Sequence, residues 1–177
     1  MIAAFLLLFT VTTLAQDIPP APENKAVVYF VRTSSLGFAI NFSYFDSATL
    51  IGKANGANYF RYECEPGHHL FWVRSENRDY VEADVEAGKI YFIEAIPQMG
   101  AMKAQAVLKV ITPSNEKAMS KIFKLMNKKS PETFTAEELQ RQTDNDIIQR
   151  GLEKYAEDKA KGKKIGKLER TAFYSKP

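Results

Sequence analysis

From residue 26 to residue 111 the apolar positions either alternate with polar ones or run together in short bursts, with turn residues between. Ala26–Arg32 (AVVYFVR) is a near-continuous apolar run, the pattern of a central strand buried on both faces. Ile40–Asp46 and Thr49–Lys53 follow, with Asp46-Ser47 as the turn. Asn55-Gly56 marks a hairpin, because both residues tolerate positive φ. Asn58–Cys64 puts Phe60, Tyr62 and Cys64 on one face and Arg61 and Glu63 on the other. After Pro66-Gly67, His68–Ser75 sets Leu70 and Trp72 opposite Phe71 and Val73. Tyr80–Glu86 alternates Val81, Ala83 and Val85 against Glu82, Asp84 and Glu86. Ala87-Gly88 leads into Lys89–Ile96, and a last strand covers Ala104–Ile111. Turns at these intervals, with no long amphipathic helix between the strands, predict a mainly β protein. The expected fold is an antiparallel β-sandwich of about seven or eight strands over residues 26–111, followed by an α-helical C-terminal tail.

At Thr112-Pro113 the hydrophobic period changes. Thr112 suits a helix N-cap with Pro113 at the first position, and Ala118, Met119, Ile122, Phe123 and Met126 recur at helical spacing. Thr135-Ala-Glu-Glu138 reads as a capping box opening a second helix. Its stripe includes Leu139, Ile148, Leu152 and Tyr155, and the polar stretch Gln140–Asp146 allows a break into two. Gly162-Lys163-Lys164 ends it. Residues 112–177 therefore form a tail of two or three helices.

The first residues read as an address. Ile2–Leu14 is apolar apart from Thr10, Thr12 and Thr13, and is shorter than the ~20 residues that cross a bilayer. Thr13-Leu14-Ala15 offers small side chains at −3 and −1 of a cut after Ala15. A Pro-rich spacer, residues 16–25, follows. Residues 1–15 are therefore read as a signal peptide and the mature chain as exported, periplasmic or secreted, with no transmembrane span. No Lys or Arg precedes the apolar run, which departs from the usual leader; the alternative is a buried first strand or helix.

Charge is unevenly spread. Residues 16–111 carry 9 Lys/Arg against 11 Asp/Glu, and residues 112–177 carry 15 against 10. The basic character belongs to the tail, so an anionic partner is sought there. The excess is too small and too scattered for a nucleic-acid-binding protein. One cysteine, Cys64, excludes an intramolecular disulfide.

Three stretches, KAVVYFVR, LIGKANGANYFRYECEPGHHLF and VEAGKIYFIEAIPQMG, together resemble a family of bacterial exported proteins and lipoproteins known as domain of unknown function 2846. The shared order is a short strand ending in Gly-Lys, an aromatic strand, a Pro-Gly-x-His turn and a Gly-Lys-x-Tyr strand. The resemblance spans about Lys25 to Gly100 and implies an antiparallel β-sandwich at the cell envelope, with no activity attached. This chain departs from many members in lacking a lipobox cysteine after its apolar run.

Candidate chemistry is sparse. His68 and His69 are the only histidines and point to opposite faces of a strand, so no metal site is expected from them. Cys64 is in phase with core aromatics. A thiol enzyme or small hydrolase centred on Cys64, His68 and Glu65 is the alternative function. Glu82, Asp84 and Glu86 read as a solvated acidic face. Ser114-Asn-Glu-Lys117 matches S-x-x-K without the companion motifs of penicillin-recognising enzymes. Asn41-Phe-Ser43 matches a glycosylation acceptor inside a strand. The candidate site is the basic stripe Lys117, Lys121, Lys124 and Lys128, spaced i, i+4, i+7, i+11, for weak contact with an anionic surface. No catalytic residue, metal or cofactor is expected, and the leading function is a non-enzymatic binding or support module whose envelope partner is unknown.

Overall fold

The structure, a computed structural model, describes residues 18–99 and 104–175. The signal-peptide reading of residues 1–15 lies outside the described residues. Eight strands come first: β1 (Ala26–Arg32), β2 (Phe42–Asp46), β3 (Thr49–Ala54), β4 (Asn58–Cys64), β5 (Gly67–Arg74), β6 (Arg78–Val85), β7 (Ile90–Met99) and β8 (Ala104–Ile111). Three helices follow, α1 (Glu116–Met126), α2 (Ala136–Gln142) and α3 (Asn145–Ala160), then a short β9 (Gly166–Leu168) and a 3-10 turn at Arg170–Ala172.

The strands form two sheets, ordered β4-β1-β7-β8 and β3-β2-β5-β6-β9. Side chains from their facing sides make the central core, with Val28, Phe30 and Phe60 of the first sheet packed among Tyr44, Phe71, Val73 and Val81 of the second. β2–β3, β5–β6 and β7–β8 pair antiparallel across short turns, whereas the turns after β3, β4 and β6 carry the chain from one sheet to the other, so Asn55-Gly56 makes an inter-sheet turn and not the expected hairpin. β1 with β7 and β6 with β9 pair in parallel, each joining strands far apart in sequence. β1 is central in its sheet and covered on both faces, Val28 and Phe30 by the second sheet and Val27, Tyr29 and Val31 by α1, so its whole length is buried.

The helices do not trail from the sandwich. α1 lays Met119, Ile122 and Met126 on the outer side of the first sheet, against Val27, Tyr29, Phe92 and Ile111. α3 lays Ile148 on the outer side of the second sheet, against Phe45, Trp72 and Tyr80. β9 then extends that second sheet alongside β6. Four layers result, helix on sheet on sheet on helix.

Among the boundaries that differ from the sequence reading, two have a clear local cause. Asn115, not Thr112, caps α1, accepting from the Ala118 N–H at 3.1 Å. The Asn115 N–H bonds back to the Thr112 carbonyl at 2.9 Å, so Thr112-Pro113-Ser114 is a turn before the helix. Asn caps as well as Thr, and Glu116 then falls in the first turn, where a carboxylate suits the helix dipole. β2 begins at Phe42 because Ile40 belongs to a loop folded over the buried guanidinium of Arg32. Arg32 donates to the carbonyls of Leu36 (2.7 Å), Gly37 (2.8 Å) and Ile40 (3.0 Å) and lies 4.2 Å over the Phe42 ring. Burial holds its pKa below the usual value.

Candidate functional site

The basic stripe is built by the packing of α1. Because Met119, Ile122 and Met126 point at the sheet, helical geometry turns Lys117, Lys121 and Lys124 to solvent. Lys128 lies in the turn after the helix, its N–H still bonded to the Leu125 carbonyl at 2.9 Å, and continues the row. All four are exposed. No ion pair or side-chain hydrogen bond engages them among the described residues. Elsewhere in the same segment lysines do find carboxylates: Lys154 and Lys163 flank Asp158 at 2.9 and 2.8 Å, and Lys159 meets Glu82 at 2.6 Å.

Beside the stripe runs a groove of about 800 Å³ between α1 and the C-terminal segment. Its walls are Pro113, Met119, Phe123 and Tyr174, with Lys124 and Lys128 at its lip. Phe123 and Tyr174 meet edge to face at 5.6 Å, and the Tyr174 N–H donates to the Ile90 carbonyl at 2.7 Å, which fixes the outer wall. The sequence reading found the lysines by their spacing. It missed the groove, because Tyr174 comes to α1 only through the return of the chain past β9.

A second cluster joins the ends of β2, β4 and β5, and it differs from the trio Cys64, His68 and Glu65. His68 is on the outer face with its side chain 84% exposed, 3.9 Å from Asp84. His69 is the inward histidine, 12% exposed, and its Nδ1 lies 2.7 Å from Asp46 Oδ2. Its Nε2 lies 2.8 Å from the Glu65 carbonyl oxygen. Both partners only accept, so both ring nitrogens carry hydrogen and the ring is an imidazolium. The hydrogen bond to Asp46 leads, and the neighbouring Cys64 side chain adds to it, in pushing the His69 pKa up to about 10 against the opposing effect of burial. Tyr62 Oη donates to the same Asp46 oxygen at 3.1 Å, and the imidazole stacks on Phe71 at 5.3 Å. A ring that donates from both nitrogens has no lone pair for the proton of the buried Cys64 thiol. The geometry makes this a buried ion pair that closes the β2–β3 turn onto β4 and β5.

Of the three carboxylates read as a solvated face, Glu82 and Asp84 are engaged by the tail. Glu82 accepts from Lys159 at 2.6 Å and from Tyr155 of α3, and those hydrogen bonds, Lys159 first, hold its carboxyl below the usual range. Asp84 accepts from Arg170 at 2.7 Å, with the same effect on its pKa. These carboxylates anchor the tail. Among the described residues, no group of three or more His, Cys, Asp or Glu side chains is placed to hold a metal ion, and no helix is long and apolar enough to cross a membrane. Compared with known proteins, the chain matches no family model, no curated protein and no solved structure.

Proposed function

We propose that this protein is a non-enzymatic, exported binding module whose working surface is α1, and that it holds anionic amphiphiles or the anionic lipid surface of the cell envelope. One observation carries the reading. A row of unpaired lysines flanks an apolar groove, which offers a charged head group and an acyl chain complementary places side by side. The leader-like residues 1–15 and the resemblance of residues 25–100 to exported envelope proteins favour the compartment. The commitment of both His69 nitrogens weighs against the thiol-enzyme alternative.

The electrostatics set the expected strength. Each lysine near an anionic leaflet contributes about 1 kcal/mol, so the row supplies weak, salt-sensitive attachment, screened beyond ~8 Å at physiological ionic strength. The chain is expected to sediment with phosphatidylglycerol vesicles at low salt, to be released as salt rises, and to ignore phosphatidylcholine vesicles. Replacing Lys117, Lys121, Lys124 and Lys128 together by Gln should abolish sedimentation and leave the melting temperature nearly unchanged, since none of the four has a partner to lose. Equal binding by the quadruple variant, or no binding by the parent at low salt, refutes the reading.

A further inference from the structure

A row of cations crosses the second sheet where α3 leaves its outer side open. On β2, Ser43 stands directly opposite Lys53 of β3 on one side and Arg74 of β5 on the other. Arg74 in turn stands opposite Arg78 of β6. Residues paired this way share a face with their Cβ atoms about 5 Å apart, and like charges directly opposite destabilise the sheet. Lys53, Arg74 and Arg78 make no ion pair among the described residues, and Arg78 Nε is buried without a hydrogen-bond partner. Nothing in the packing of the fold requires this arrangement.

Lys53, Ser43 and Arg74 line a polar pocket of about 460 Å³, closed by Asn55 of the β3–β4 turn, by Asn58 at the start of β4 and by Glu132. Two of its polar atoms lack partners although their residues are buried. Ser43 is 7% exposed and Asn58 4%. The Asn58 amide nitrogen donates to the Asn55 carbonyl at 2.7 Å, while its Oδ1, like Ser43 Oγ, bonds to no described residue. Neither atom is itself sealed from solvent, so both are accessible to a ligand in the pocket.

The donor and acceptor pattern selects the ligand. Lys53, Arg74 and the Ser43 hydroxyl present hydrogens to an anionic group, and the guanidinium grips a carboxylate or phosphate through two bonds. Asn58 Oδ1 and the Glu132 carboxylate only accept, so they need hydroxyl donors and repel a bare anion. Ala54 is the one apolar side chain in the lining, which leaves no stacking surface for a nucleotide base. We infer that this pocket binds a small anionic sugar, its carboxylate or phosphate between Lys53 and Arg74 and its hydroxyls on Asn58 and Glu132. The site is separate from α1, so it stands or falls independently of the lipid-surface reading.

Calorimetric titration of the full chain with D-glucuronate, glucose 6-phosphate, glucose and inorganic phosphate tests the inference. Both anionic sugars should bind, with glucose and inorganic phosphate each at least about tenfold weaker. Arg74→Gln and Lys53→Gln should each weaken the anionic sugars about tenfold or more. The Arg74→Gln protein should melt no lower than the parent, because a like-charge pair is relieved. Glu132→Gln should weaken the sugars yet strengthen inorganic phosphate, an opposite pair of effects that loss of structure cannot produce. The α1 quadruple variant should bind the sugars as the parent does. No binding of either anionic sugar overturns the inference. Inorganic phosphate binding as tightly as the sugars also overturns it, in favour of a simple anion site, and so does undiminished sugar binding by a folded Arg74→Gln protein.

Discussion

His69 shows how one side chain ties local sequence to stability. Its imidazolium lies between the Asp46 carboxylate at 2.7 Å and the Glu65 carbonyl at 2.8 Å, so removing it strands a buried carboxylate. Breaking such a pair from one side typically costs about 3–5 kcal/mol. The pKa of about 10 in the folded protein exceeds the ~6.5 of an ordinary histidine. Its contribution is therefore full below about pH 6.5 and is lost as pH rises through about 10. Urea unfolding of the parent and of His69→Gln should show a gap of a few kcal/mol near pH 6 that closes towards pH 10. A gap independent of pH would mean that the ring contributes packing on Phe71 rather than charge. Strand alternation in the sequence already separates His68 from His69 and sets His69 on the side of Phe71 and Val73. Asp46 was not legible as its partner, because the pairing of β2 with β5, which brings the two together, joins residues across three turns and two intervening strands.

Among the elements, α3 shows the same limit at a larger size. Its stripe of Ile148, Leu152 and Tyr155 announces an amphipathic helix, and Trp72 in an alternating strand announces a buried indole. What the stripe cannot tell is that these two features cover each other. Trp72 is fully buried, but under α3 rather than between the sheets, stacked on Phe45 at 3.9 Å and donating to the Ser47 carbonyl at 2.9 Å. Gly151 makes the contact possible: a Cβ there would sit 2.4 Å from the indole, and the Gly151 carbonyl accepts from Tyr80 Oη at 2.7 Å. Glycine inside an exposed helix costs about 1 kcal/mol relative to alanine, so Gly151→Ala would stabilise a helix that merely trailed in solvent. Docked on Trp72, the same substitution forces overpacking that typically costs about 1–3 kcal/mol. The sign of the change in melting temperature decides between the two, and we expect a decrease accompanied by altered tryptophan fluorescence.

For the whole molecule, the change of hydrophobic period at residue 112 marks a change of layer. Residues 112–175 supply the outer cover of both sheets, the edge strand β9, and the carboxylate anchors Lys159 on Glu82 and Arg170 on Asp84. Without them, Tyr29, Val31 and Phe92 would face water on one side and Phe45, Trp72 and Tyr80 on the other. Exposed apolar patches of this kind favour association, and β6 would become an open edge able to pair with other chains. A chain ending at Ile111 should therefore aggregate or bind a hydrophobic dye, with no cooperative unfolding transition. A soluble monomer with native near-ultraviolet dichroism would instead establish the sandwich as an independent domain. The α1 surface must accordingly be probed by substitution rather than by truncation. Deleting the segment would remove the cover of both sheets along with the lysines, so only the Gln substitutions, which touch no buried contact, separate binding from folding.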